Sequence, residues 1–540
     1  MTIKKIVKIT LLIFLFVLLI GCGTQEMDES DTDVDEVVET TTVEEEESTD
    51  DSEVTGELRV AYSAQPPTLD LHLSTAAATT EIMGQVYESL ITVDSEYNIV
   101  PLLAESYEQS DDGLVITFKL REGVLFHNGK EMKAEDVVAS MNRWKDLPGG
   151  RGQFDNSVFE AIDDYTVEFK LDRPLSTALT ALSQGGTTFA GIMPKEVVED
   201  ASAEGVNEHI GTGPFKFVEW AQDQHVHLTK FTDYKLLDDP ADGLTGKKEA
   251  LVKDIYFEFV QDPSTRVAGL QSGEYDIAQS IPIDNALLLE ENPSLETHVV
   301  PSVSTLLIIP NKAKGFFADV KAREVLAAVM DADEILEAAF SDERFYRLSH
   351  GMMLEPQEAN WYSEEGKEMY NQKDPEKAKQ LLDEMGYDGE TIRIATDREY
   401  VVHYNASVVL QKQLESIGMN VDLQVYDWAT LLDITDDPDA YELNIMGHSL
   451  RPDPTAIYYF DPNDSGFTDS DELMDLLGEF RSQPTLEATK GVFDRLQKWH
   501  WEYIPAIKIG EYSRIDIAQE NVKNIQHMGR MLLWNVTNDK

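Results

Sequence analysis

Hydrophobic and polar positions alternate along most of the chain in a way that predicts interleaved strands and helices. Leu58–Tyr62 is a short run of strand formers that leads into the turn Gln65-Pro66-Pro67. Val115–Leu120 and Thr166–Leu171 alternate in polarity with period two, as strands buried on one face do. Val252–Val260 predicts another strand, followed by Asp262 as a helix cap, Pro263 in the first turn and Gly273 as the stop. Tyr275–Ala278 then re-enters a sheet, making a strand–helix–strand unit. The same grammar returns later. Asp374-Pro375 opens a helix that Gly386 ends, Thr391–Thr396 is a strand, and a helix through Val408–Ile417 stops at Gly418. Val421, Leu423 and Val425 then alternate with Asp422, Gln424 and Tyr426. No short-period repeat is visible, and no apolar run after residue 22 is long enough to span a membrane. The pattern is that of an α/β protein.

The first 22 residues break from it. Lys4, Lys5 and Lys8 precede an apolar stretch, Ile9–Ile20, interrupted only by Thr10, which has the length and flanks of a signal-peptide core. Cys22, the only cysteine, sits directly behind Leu19-Ile20-Gly21, an arrangement that resembles the bacterial lipobox. Read so, residues 1–21 are removed and Cys22 becomes a lipidated N-terminus, the anchor to the cell membrane. Residues 24–57 follow with 16 acidic side chains and no lysine or arginine. Such a segment buries too little apolar surface to offset its ordering entropy and its charges repel, so 22–56 is expected to be an extended tether.

Composition changes the picture in two respects. The 540 residues carry 101 Asp and Glu against 44 Lys and Arg, a formal net charge of −57. With 16 carboxylates in 24–57 and three lysines before them, residues 58–540 still hold −44. Phosphates would be repelled at long range, which excludes a nucleic-acid binder working through a basic face. One cysteine excludes an intramolecular disulfide framework and any cysteine-based zinc site. His225 and His227 share one face of a strand but lack a third nearby ligand. There is no His-Glu-x-x-His helix and no Gly-x-Ser-x-Gly elbow, so no enzyme chemistry is indicated and no metal or cofactor is expected.

Several stretches, in order, carry a family resemblance over about residues 57–540. They are Pro67-Thr68-Leu69-Asp70, Val86–Leu90, Pro101–Ser106, Phe118–Gly129, Ala134–Ser140, Gly211–Phe215 and Leu270–Asp276. The chain resembles the bacterial extracellular solute-binding proteins of the peptide/nickel class, family 5, which serve ABC importers. The resemblance implies a bilobal periplasmic-binding-protein-like fold (type II, cluster C) with an extra third domain. Mapped onto this chain, lobe I takes 57–99, 208–308 and 512–540, the extra domain 100–207, and lobe II 309–511. It also implies a monomer that takes a short peptide or similar small solute between its lobes and passes it to a permease and ATPase complex.

The segment Ile445–Pro454 bears on the cargo. Oligopeptide binders of the family often carry Trp-x-x-Asp-Tyr-x-Asp/Glu-Pro here, with an aspartate for the peptide's amino terminus. In this chain Leu450 or Arg451 stands at that aspartate's place, and Arg451-Pro452-Asp453-Pro454 looks more like the family's Gly-Arg-x-Asp-Pro subgroup. Arg451 is therefore a candidate to clasp a carboxylate, the alternative being a salt bridge with Asp453 or another acid. Asp453 either receives an ammonium or caps the turn before Pro454. Tyr62 and Trp428 are candidate aromatic walls of the pocket, Trp428 being equally readable as core, and His448 would matter if the cargo were a nickel chelate.

Overall fold

The structure is a computed structural model that describes residues 56–540 except 149, 151–152, 184–188 and 452. The leader, Cys22 and the tether up to residue 55 lie outside the described residues.

An eleven-stranded mixed sheet is its backbone. From one edge the strands run Asn420–Tyr426, Thr391–Asp397, Leu443–Ser449, Leu295–Pro310, Ile507–Gln519, Ile277–Ala278, Glu57–Tyr62, Asp254–Phe259, His225–Lys230 and Phe215–Ala221. The short strand Tyr346–Arg347 pairs off this path with Ile507–Gln519. The two long central strands, Leu295–Pro310 and Ile507–Gln519, are antiparallel and join the two halves of the sheet. On either side the pairing turns parallel, as strand–helix–strand connections require: Glu57–Tyr62 with both Asp254–Phe259 and Ile277–Ala278, and Thr391–Asp397 with both Asn420–Tyr426 and Leu443–Ser449.

The expected punctuation sets these elements. Asp262 accepts from Thr265 N at 2.8 Å to start the helix Pro263–Ser272, and Gly273 ends it with φ +77°. Asp374 caps Pro375–Met385 in the same way, and Gly386 closes it at φ +73°. A left-handed closing residue suits glycine because it has no Cβ to clash. The helix expected near Val408–Ile417 is longer, Val401–Ser416. Its first turns are not announced in sequence because Tyr400, at the cap position, supplies no side-chain bond.

A separate four-stranded antiparallel sheet, Ala104–Gln109, Val115–Leu120, Thr166–Lys170 and Val158–Asp163, packs with the helix Ala134–Trp144 around its own core. There Phe159 stacks on Phe169 with ring centres 3.8 Å apart, and Trp144 and Phe154 are fully buried. Each such side chain contributes roughly 1.5–3 kcal/mol or more by leaving water. The unit is fastened from outside by the Arg143–Asp70 ion pair, 2.6 Å at its shorter contact. It also touches a distant stretch of chain. Ser176 Oγ donates to the Phe480 carbonyl at 2.7 Å, and Gln109 Nε2 to the Pro484 carbonyl at 3.1 Å.

Candidate functional site

The two central strands join the halves of the large sheet, and their pairing is irregular in the middle. Leu295–Pro310 loses register between Val300 and Ser304, so Pro301, Ser302 and Val303 form an irregularity in its middle. Ser302 adopts φ +49° while buried, and its hydroxyl donates to Glu355 Oε2 at 2.8 Å. Glu355 N in turn donates to Glu511 Oε2 at 3.1 Å, and Lys508 Nζ reaches Glu511 Oε1 at 2.5 Å. Lys508 also donates to the carbonyls of Gly351 and Met353, both at 2.8 Å. Burial pushes this lysine below its usual range even with Glu511 beside it. The kinked strand is thereby tied to the loop after Leu348 and to the opposite central strand.

Tyr62 ends the strand Glu57–Tyr62 and is buried, its hydroxyl donating to Glu81 Oε2 at 2.8 Å. Glu81 gathers three more donors: Gln279 Nε2 at 3.0 Å, Met531 N at 2.8 Å and Arg514 Nη2 at 3.4 Å. Arg514 lies on the second central strand opposite Val300 and pairs with Asp516 at 2.9 Å. Burial opposes a charge on Asp516, yet Arg514 and then His527 hold its carboxyl at about 2. A single arginine thus bridges two buried carboxylates beside the kink.

On the other side, His448 and Arg451 come at the end of the strand Leu443–Ser449. His448 faces Thr305 across the sheet, and its ring sits edge-on to Tyr458 with centres 5.8 Å apart. Burial takes its imidazole down to about 4, against a weaker opposing effect from its bond to Ser449. Arg451 places its guanidinium over the Tyr458 ring at 5.7 Å, and its carbonyl accepts from Gln357 Nε2. It forms no ion pair with Asp453 or with any other described carboxylate within 4 Å. Asp453 is buried and accepts from Thr455 N at 2.7 Å and Thr455 Oγ1 at 2.6 Å, which makes it the cap of the turn Pro454–Ala456. Burial raises its pKa, with Thr455 and Arg481 pulling the other way.

Trp428 begins the helix Trp428–Thr435, which Asp427 caps through Thr430 N at 3.0 Å. Half-buried, it stands edge-on to Tyr400 at 5.0 Å and packs against the core around Met446 and Tyr459. The structure thus brings His448 and Arg451 together against Tyr458, while Asp453 is committed to the next turn beside Thr455. Trp428 packs against the core that holds Met446 and Tyr459, and Tyr62 belongs to the Glu81 cluster. Sequence reading missed Glu81, Gln279, Arg514, Asp516, Gln357 and the role of Tyr458. The two expected histidines elsewhere hold neighbouring acids, His227 with Asp254 at 2.9 Å and His225 with Glu219 at 3.2 Å. No group of three metal-ligating side chains occurs among the described residues.

A mixed sheet crossed by two long antiparallel strands, with parallel units on both flanks, defines a periplasmic-binding-protein-like fold. Solved structures share it. The substrate-binding protein CtaP of Listeria monocytogenes superposes with a TM-score of 0.79 at 22% identity, covering 90% of this chain and 100% of that one. The oligopeptide-binding protein AppA of Bacillus subtilis, solved with a nonapeptide, gives a TM-score of 0.67 at 23% identity over 89% and 98% of the two chains. Among curated relatives, a probable peptide ABC transporter periplasmic-binding protein of Sinorhizobium fredii is 28% identical over 482 residues, 84% of this chain and 88% of that protein. Residues 98–467 match the family model "Bacterial extracellular solute-binding proteins, family 5 Middle", and the chain belongs to that family. Its members are extracytoplasmic transport components without enzymatic activity, so the expectations of family, fold and absence of catalysis are borne out.

Proposed function

We propose that this chain is a lipid-anchored extracellular receptor that captures peptides between two lobes and delivers them to an ABC-type importer. Lobe I would comprise 57–99, 208–308 and 512–540, lobe II 309–511, and the added domain 100–207. The observation that carries the reading is the pair of central strands with its kink at Ser302, flanked by family membership and by relatives named for peptide binding. A hinge there lets the lobes close on a solute, a two-state change biased by contacts that only the closed form makes. Cys22 would hold the receptor at the membrane, and residues up to 56 would give it reach.

Native mass spectrometry of residues 57–540, purified without denaturation, tests the cargo. A spread of short-peptide masses is the expected result. One discrete metal-chelate mass would move the assignment to nickel delivery, a reading that the unpartnered Nε2 of His448 favours. Ligand cleaved during incubation would instead mark a hydrolase.

A further inference from the structure

Three polar atoms at the end of the strand Leu443–Ser449 are buried without a hydrogen-bond partner: His448 Nε2, Arg451 Nε and Tyr458 Oη. They belong to side chains already in contact, since the Tyr458 ring lies 5.8 Å from the His448 ring and 5.7 Å from the Arg451 guanidinium carbon. Leaving one such group unpaired is unfavourable, and leaving three in one corner calls for a common partner.

Their chemistry constrains what that partner is. His448 Nδ1 lies 2.9 Å from the Ser449 carbonyl, which can only accept, so Nδ1 carries the hydrogen and Nε2 offers a lone pair. Arg451 Nε can only donate, and the Tyr458 hydroxyl can do either. The corner therefore presents a fixed cation with donors next to one acceptor. Asp464 acts on Arg451 only at longer range, with no contact within 4 Å. The acid nearest in sequence, Asp453, has Oδ1 committed to the Thr455 amide and hydroxyl. Arg451 and Tyr458 each keep part of their surface exposed, which leaves the corner an approach.

A carboxylate with an N–H two bonds from its carbon complements this set. The C-terminal residue of a peptide is such a unit: its carboxylate accepts from Arg451 and Tyr458, and its amide N–H donates to His448 Nε2. We infer that this corner reads the carboxyl end of the bound peptide, with Arg451 neutralising the terminus and His448 and Tyr458 orienting it. The inference rests on the peptide reading above and adds to it the direction in which the cargo lies. A free amine end would meet a guanidinium here, so peptides should enter with their amino ends pointing away from this wall.

The test uses short synthetic peptides of mixed sequence in three forms (free ends, N-acetylated, C-amidated) and the protein of residues 57–540. Binding is read by calorimetry or native mass spectrometry. N-acetylated peptides should bind as the free ones do, while amidation should weaken binding about tenfold or more, the loss of a charge-assisted pair. Arg451→Gln should erase the difference between free and amidated peptides, and Tyr458→Phe should narrow it. The ligand series on the unaltered protein decides the question even if a variant fails to fold. Equal binding of free and amidated peptides, or loss on acetylation instead, would overturn the assignment while leaving the peptide receptor intact. Failure of all three forms to bind would overturn the peptide reading and the assignment with it.

Discussion

Tyr62 and Glu81, 19 residues apart, meet in a buried bond of 2.8 Å, and the same carboxylate takes donors from Gln279, Arg514 and Met531. Glu81 thereby joins the end of one strand to the second central strand and to the short strand Met531–Leu532 near the C-terminus. Removing one donor and removing the acceptor are different experiments. Tyr62→Phe leaves Glu81 with its other donors and should lower unfolding free energy by about 1–2 kcal/mol. Glu81→Ala strips Arg514 of one of its two acids and orphans the Tyr62 hydroxyl, and should cost about 3–5 kcal/mol. Urea midpoints of the two variants check the order, and an equal loss in both would mean that the other three donors contribute nothing.

Gly447 sits one residue before His448, opposite Leu306 where the strand Leu443–Ser449 pairs with Leu295–Pro310. A Cβ there would lie 2.5 Å from the Thr305 carbonyl oxygen and 3.3 Å from both Ser304 Oγ and Tyr512 Oη. Backbone cannot yield as a side-chain end can, so Gly447→Ala should push the two strands apart. The expected loss is about 1–3 kcal/mol, with ligand binding weakened as His448 and Arg451 shift. A variant with unchanged melting and unchanged affinity would show that the strand pair has slack at this point.

How much of this was legible in the sequence follows from how far apart the interacting groups lie. Asp262, Pro263 and Gly273 act within one helix, so their order announces it, and the strand–helix–strand unit appears where expected. The Leu295–Pro310 strand was not announced, because Pro301 and the left-handed Ser302 interrupt its alternation. The Glu81 cluster joins residues up to 450 positions apart, a relation that no periodicity encodes. At the corner, the substitution of Arg451 for the expected acid was visible. That Asp453 spends its carboxylate on Thr455, and that Tyr458 turns toward Arg451, depends on the path of the loop and could only be seen in three dimensions.

Acid should destabilise the protein well before its carboxylates titrate. Burial takes His72, His127, His209 and His448 down to about 4 and His500 to about 3. In the unfolded chain each titrates near ~6.5, so the unfolded state binds more protons throughout the interval between. Stability is therefore full above pH ~6.5 and falls as pH drops toward 4, each histidine removing about 2 kcal/mol by pH 5. Asp516, held at about 2 against an ordinary 3.8, adds a second loss below that ordinary value. Calorimetric unfolding at pH 5 in buffers of different ionisation enthalpy should reveal uptake of about four protons. Uptake near zero would mean that the native histidines protonate freely.

Salt should act in the opposite sense. Residues 58–540 carry −44, and like charges on a folded surface repel more strongly than in an expanded chain. Screening over a Debye length of about 10 Å at 0.1 M relieves that repulsion. The melting midpoint of residues 57–540 should rise steadily as sodium chloride is raised from low concentration. A midpoint that falls would indicate that the ion pairs, not the excess carboxylates, dominate the surface.

The contact between Ser176 and the end of the helix Asp471–Arg481 links the added domain to the proposed second lobe. Ser176 Oγ donates to the Phe480 carbonyl at 2.7 Å, Ser176 N to the Arg481 carbonyl at 3.1 Å, and Gln109 Nε2 to the Pro484 carbonyl at 3.1 Å. On the proposed division, with the four-stranded sheet following Asp70 through the Arg143 ion pair, these bonds would break if the lobes parted at Ser302. On that division the bonds would favour the conformation described above, over one with the lobes parted, by about 1–3 kcal/mol together. Ser176→Ala combined with Gln109→Ala should shift the ligand-free protein toward open conformations, seen as a larger radius of gyration by X-ray scattering. Peptide affinity should fall by up to about a hundredfold, since binding then has to supply the lost bias. Scattering and affinity that both stay unchanged would place the hinge so that the added domain moves with the second lobe instead.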